Sequence, residues 1–385
     1  VVPITVDLSL LGFFKYANFT VDSVARLLHV AGAPVHPPHW NIILPVGISF
    51  YTFHTITYIV DSYRGVITPT RNLFEFSSYV SLFSQLVAGP IVRFRQIEQD
   101  LNNLGAAART RWLGLGVSYF VTGLLEKVLI ADSFAAYVDP ALAHYAGLST
   151  LSTWLAVLGY TFQLYFDFAG YSSMAIGLGY LFGLRIPINF NSPYKALDPS
   201  DFWRRWHISL STCLRDYLYI PLGGNRDGEG KTYRNLMITM LLGGLWHGAA
   251  WTFVAWGGYW GVLLAAYRRY GSVWDRLPAE VRQTGTFFAA IVGWVMFRST
   301  SFGMAAQVLE RMFVPAGGLP LAHLGAILGA LVIAGWLALN GPNSHDLHRD
   351  FTWSPRRAIL VAGALGACVS LMAAGGSSPF LYFQF

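Results

Sequence analysis

A lone imidazole sits among apolar and aromatic residues in Gly243-Gly244-Leu245-Trp246-His247-Gly248-Ala249-Ala250-Trp251. A buried neutral imidazole can take the proton of a reacting hydroxyl. The flanking glycines would let a thin substrate chain approach the backbone. The plain alternative is a core His satisfied by one backbone carbonyl. Inside a membrane, however, an ionisable side chain is costly and marks a site or a pathway. That weighs toward a functional His247, with Trp246 beside it and, further off in the sequence, Trp203, Arg215, Asp216, Asp167 and Asn225 as candidate substrate-binding residues.

A second constellation is Asp198-Pro199-Ser200-Asp201-Phe202-Trp203-Arg204-Arg205-Trp206-His207-Ile208-Ser209-Leu210. Asp198 can cap a helix that has Pro199 at its first position and Asp201 in its first turn. Trp203, Trp206, His207, Leu210, Leu214 and Tyr217 then share one face, with Arg204, Ser211 and Arg215 on another. The pattern predicts an amphipathic helix at the cytoplasmic interface, or wedged into a bundle, with His207 pointing inward. A simple anchor helix has the same spacing. Arg215 and Asp216 precede a Pro-Leu-Gly-Gly turn ending at Asn225, and an ion pair closing a loop is the plainer explanation for them. Asp167 is a single acid deep in an apolar run and needs a partner, such as a His or Arg from elsewhere. No GxSxG elbow, Walker loop or dinucleotide fingerprint occurs, so the nucleophile would be the substrate's own hydroxyl.

The elements that must hold these residues are membrane helices. Only 12% of the 385 residues are charged, 54% are hydrophobic, and the mean hydropathy is +0.44. A soluble domain carries about 25% charged residues, so there is too little charge to cover a solvated surface. Apolar stretches near 3–16, 41–60, 73–92, 112–131, 151–184, 236–267, 284–297, 319–340 and 358–375 predict an all-α polytopic membrane protein, read as one domain over 1–385. The runs are continuous, not alternating, which excludes barrel patterning. A net charge of +6 is compatible with nucleic-acid binding, but the basic residues lie in loops between apolar runs, without interleaved stacking aromatics. Cys213 and Cys368 are read as packing residues, and no His, Cys or carboxylate cluster has metal-ligand spacing.

Lys and Arg in the connections set an orientation. The 93–111 and 185–235 segments are basic and predicted cytoplasmic, whereas 132–150 has no Lys or Arg and is predicted outside. If 236–267 crossed once, Arg268, Arg269, Arg276 and Arg282 would fall on the wrong side. The run is therefore predicted to turn back as a broken or re-entrant hairpin, with His247 near the middle of the bilayer.

Taken together, Trp203 to Ser211, Leu214 to Gly224 and Gly244 to Gly248 resemble the membrane-bound O-acyltransferase family, and within it the bacterial alginate O-acetyltransferase branch. Leu44 to Phe53, Leu86 to Arg93, Gln163 to Ser172 and Pro379 to Phe385 extend the likeness, in order, along the chain. The resemblance implies a helical bundle with re-entrant or broken helices around a central tunnel that reaches a buried His. The family's essential His corresponds to His247 and its second His to His207. It further implies no bound cofactor, and a cytoplasmic thioester donor, either acetyl-CoA or a carrier-bound acyl group. A periplasmic accessory acetyltransferase would pass the acyl group to a polysaccharide, and the location would be the bacterial inner membrane. Cys213 stands where the alginate-type pattern has Trp, and Ala250 where it has Asn. The chain opens with Val1 and lacks a charged leader, and one or two further helices are expected before Leu11. A proton-coupled transporter would also use broken helices with buried His and Asp, although no inverted repeat is evident. A non-catalytic scaffold of a polysaccharide export complex is the other alternative.

Overall fold

In the computed structural model the chain is built from helices. The structure describes residues 2–84, 86, 89–104, 106–321, 323–375 and 380–381, with the backbone only of 106–111. Val87, Ala88, Pro379 and Tyr382 to Phe385 of the family-like segments lie outside the described residues, as do the side chains of Arg109 and Arg111.

The N-terminal helix is longer than its apolar stretch suggests. Val2–Leu11 passes through a π-helical turn, Gly12–Tyr16, into Ala17–Val30. Ile48–Tyr63 starts at Gly47, whose φ of 78° suits only glycine at low cost and whose missing Cβ makes room for the Leu86 carbonyl. Ala106–Leu125, a π-helical turn Glu126–Ala131 and Asp132–Ala143 follow one another without a break. The hydrogen-bonded helix thus absorbs much of the 132–150 segment read as a connection. Thr150–Leu181 packs along it, where Gly123 and Gly170 bring the two backbones into contact. Among the described residues, Trp112–Ala143 and Pro355–Ala373 are long and apolar enough to cross a membrane.

Two expectations are corrected. The 73–92 stretch is not one helix: Leu73–Val80, capped by Asn72, stops well short of Gly89-Pro90. Proline restrains the residue before it and lacks an N–H, so helix is disfavoured there. The non-helical Ile91 is buried, and its N–H is satisfied by Ser209 Oγ at 2.9 Å. The second correction concerns 199–217. Pro199–Arg205 is capped by Asp198, as read, but the chain breaks at Trp206-His207 before Ile208–Leu214 and a π-helical turn, Arg215–Tyr219. The break exists because the extended segment before it claims the backbone. Asn191 N–H donates to the Arg205 carbonyl and Ile208 N–H to the Asn189 carbonyl.

The hairpin expectation meets a clear counterpart. Glu229–His247 ends at His247, Gly248 to Ala250 turn the chain, and Trp251–Trp274 returns alongside. A Cβ on Gly244 would overlap the Phe253 carbonyl, and one on Gly257 the Met240 carbonyl. The helices therefore touch backbone to backbone. Ala279–Arg298 packs against the returning arm, followed by Phe302–Phe313, Leu324–Leu339 and Pro355–Ala373.

Gly257→Ala should force the hairpin arms apart and lower the unfolding midpoint in detergent, at a cost of about 1–3 kcal/mol or more. Gly258→Ala should be nearly neutral, because its Cβ would meet only the Leu241 side chain at 3.4 Å. Equal midpoints for the two variants would contradict this packing.

Candidate active site

His247 is the last residue of its helix, so its position depends on how that helix ends. Helix C-termini leave carbonyls without intrahelical partners. Here Tyr16 OH donates to the Leu245 carbonyl at 3.0 Å, and Lys15 Nζ donates to the Trp246 carbonyl at 2.5 Å and the His247 carbonyl at 3.5 Å. The ammonium also donates to Ser49 Oγ at 3.1 Å and lies 5.7 Å from the centre of the Trp246 ring. A cation at a helix C-terminus is favourable for the carbonyls and the macrodipole alike. Trp246 is wedged against Phe50 and Phe53. The His247 ring meets Trp256 at 5.2 Å and Phe297 at 5.3 Å between centroids.

His207 is brought to the same chamber by the break in its own helix. It adopts φ 43° and ψ 55°, a left-handed conformation that is uncommon for a residue with a side chain. Three donors converge on Asn189 Oδ1: Ser209 N–H at 3.2 Å, Ser209 Oγ at 2.9 Å and His207 Nδ1 at 3.2 Å. A backbone N–H can only donate, so Oδ1 is the acceptor and Nδ1 of His207 carries its proton. In the neutral ring Nε2 is then the acceptor nitrogen. It is buried and has no hydrogen-bond partner among the described residues. The two imidazole centroids lie 6.4 Å apart. His207 thus makes no direct hydrogen bond to His247, and it is itself oriented by Asn189.

The other residues singled out in the sequence divide clearly. Trp203 stands behind the chamber, edge-on to Trp256 and Trp260. Arg215 and Asp216 belong to a separate cluster with Arg93, whose guanidinium reaches Asp216 at 2.8 Å. Burial pushes the Asp216 carboxyl up, but hydrogen bonds from Arg215 and Arg93 outweigh it and hold the group below its ordinary value. Asp167 finds a Lys, not the His or Arg suggested. Lys127 reaches it at 2.7 Å and Asp132 at 2.5 Å, while Leu381 N–H donates to its other oxygen at 2.8 Å. Asn225 is exposed in its turn, and the nearby Asn235 supports that turn by donating to the Gly224 carbonyl. Among the described residues no group of three His, Cys, Asp or Glu converges as a metal would need.

Asn189, Lys15, Trp256 and Phe297 are the residues that sequence reasoning passed over. Lys15 carried a usable signal, since it is a single cation in an apolar run, the same anomaly that exposed His247. A polar-lined cavity of about 450 Å³ adjoins the turn after His247, bordered by Lys15, Asn18, Asp22, Arg26 and residues 249–252 and 300–302.

Residues 48–306 match the model of the MBOAT, membrane-bound O-acyltransferase, family. The chain is 42% identical to a probable alginate O-acetylase of Pseudomonas putida, over 99% of its own length and 83% of that protein's. It is 39% identical to a peptidoglycan O-acetyltransferase of Helicobacter pylori, over 83% of its length and 65% of that protein's. It is 32% identical to a teichoic acid D-alanyltransferase of Bacillus subtilis, over 61% of each. It spans 62% of the length of the similar Azotobacter vinelandii protein.

Lys15→Met should leave the end of the His247 helix uncapped and destabilise the protein by about 1.5–3 kcal/mol, the range for hydrogen bonds to a charged group. Lys15→Arg should retain part of that. Denaturant unfolding in detergent reads the difference, and an unchanged Lys15→Met midpoint would mean that the ammonium does not secure the helix end.

Proposed function

This chain belongs to the membrane-bound O-acyltransferase family and is a membrane O-acyltransferase, and from that premise we propose that it moves an acetyl group from a cytoplasmic thioester donor toward O-acetylation of an exopolysaccharide such as alginate. The donor would be acetyl-CoA or a carrier-bound acyl group, and no resident cofactor is invoked. The chain would be a multi-pass protein of the bacterial inner membrane, with 93–111 and 185–235 cytoplasmic, as their Lys and Arg content supports. A periplasmic accessory acetyltransferase would carry the group to the polymer.

The observation that carries the chemistry is the pair of buried imidazoles 6.4 Å apart in one aromatic chamber. His247 takes the proton of the attacking hydroxyl as its oxygen adds to the thioester carbonyl. The C–S bond breaks, and the proton passes to the departing thiolate. His207, fixed through Nδ1 by Asn189, offers Nε2 to hold the hydroxyl or position the thioester. Trp246 would close the chamber, and the hairpin would be the re-entrant element that carries His247. The cavity beside residues 249–252 supports an acceptor route to the turn after His247.

Polymer-bound acetate, measured in cells with membrane levels of each protein checked, tests this. His247→Ala should reduce it by about 10²–10⁴-fold at normal protein level, the range attributed to acid–base groups, and His207→Ala, which removes a positioning group, should reduce it at least about tenfold. Acetate retained in both variants would favour a transporter or scaffold, and the catalyst would have to be sought among the partners.

A further inference from the structure

The Trp251–Trp274 and Ala279–Arg298 helices pack ring on ring beside the chamber, where Trp256 stacks on Trp294. Nearer the loop that joins them, an apolar crevice of about 300 Å³ lies between the two. That volume is at the lower end of the range for ligand sites, about 300–1,000 Å³. One wall is aromatic: Tyr267, Tyr270 and Trp274 recur at spacings of three and four and share a helix face. The facing wall is small, with Gly285 and Ala289, so no side chain fills the gap. A Cβ on Gly285 would lie 2.7 Å from the Trp274 ring, so glycine lets that ring lean over the crevice.

The crevice has a polar end and an apolar mouth. Trp274 Nε1 donates to the Leu197 carbonyl at 2.8 Å, and Tyr267 OH donates to Asp275 at 3.3 Å. Rings with an apolar body and a hydrogen-bonded tip belong at a membrane–water interface. Ala266 and Tyr270 are exposed at the mouth, and Val262 and Phe288 are exposed beside it. In a membrane protein such a surface faces lipid. Past the aromatic rings the chain is basic, with Arg268, Arg269, Arg276 and Arg282 against Asp275 and Glu280. Asp275 is engaged by Arg282 at 2.9 Å, whereas Arg268, Arg269 and Arg276 form no ion pair among the described residues. The Arg269 guanidinium lies 5.6 Å from the centre of the Tyr270 ring. A hydrocarbon chain suits the crevice, and a phosphate suits the guanidinium beside its mouth.

We propose that this crevice binds one acyl chain of an anionic phospholipid, with the lipid phosphate at Arg269. The site rests on the membrane setting that the family gives, and it holds whatever the acyl donor and acceptor are. Pro199, the first residue of the helix that leads to His207, also lines the crevice. A bound lipid therefore touches the segment that positions the second imidazole.

The test is native mass spectrometry of the full chain, purified in detergent and exposed to equal amounts of phosphatidylglycerol and phosphatidylethanolamine with matched chains. The wild type should retain phosphatidylglycerol at least about fivefold better, the worth of about one Arg beside an anionic lipid. Ala266→Phe, which puts a ring into the crevice from an exposed position, should lower that retention by a similar factor. Val332→Phe, at an exposed position of Leu324–Leu339, should leave it unchanged. Arg269→Gln should remove most of the preference without changing retention of phosphatidylethanolamine, and as an exposed substitution it keeps the test decisive if Ala266→Phe fails to fold. Equal retention of the two lipids by the wild type would overturn the proposal. So would a folded Ala266→Phe variant that retains as much phosphatidylglycerol as Val332→Phe, since the lipid would then be annular only.

Discussion

The chain has to reverse direction immediately after His247, and the rest of the site depends on how that reversal is held. A helix that stops inside a bundle presents bare carbonyls, and in an apolar setting each unpaired one is expensive. Lys15 and Tyr16 meet that demand from the N-terminal helix. Gly244 and Gly257 let the two arms close backbone to backbone. The imidazole is thus fixed from behind by hydrogen bonds and from the side by packing, and its ring is left to the aromatic chamber. A loop carrying His247 would lack such restraint.

The second imidazole is held by a different device. His207 lies where a helix is interrupted, in a backbone conformation that helices avoid, and the interruption is stabilised by the extended segment around Asn189. Asn189 binds with both its backbone and its side chain, so one residue fixes the break and the tautomer of His207 together. Ser209 extends the network to the buried, non-helical Ile91. Irregular backbone in this core is thereby paired group by group, as irregular backbone at membrane depth must be. The strain at His207 is sustained by contacts that over-determine it.

Much of this was legible in the sequence, and the limits have physical causes. Gly243-Gly244 and Gly257-Gly258, with the arginines beyond, announced a fold-back, and the two histidines stood out against an apolar background. Apolar runs set helix existence well but helix ends poorly. Glu229–His247 and Ala17–Val30 extend into polar sequence because hydrogen bonding, not hydropathy, ends a helix. The break at Trp206-His207 has no local signal, since no Gly or Pro marks it; its cause lies in Asn189 and Asn191, distant in sequence. The partner of Asp167 was equally non-local. Lys127 is set by a π-helical turn that shifts the register of its helix, which periodicity alone does not reveal.

The central claim is that the two histidines act as one unit on an acyl group. Thiol release from an acetyl thioester, compared for the single variants His247→Ala and His207→Ala and for the double variant, tests it most directly. Residues that act on the same step are non-additive. The account predicts a double variant no slower than the more damaged single one. Losses that multiply, or a double variant that still turns over at the wild-type rate, would contradict it.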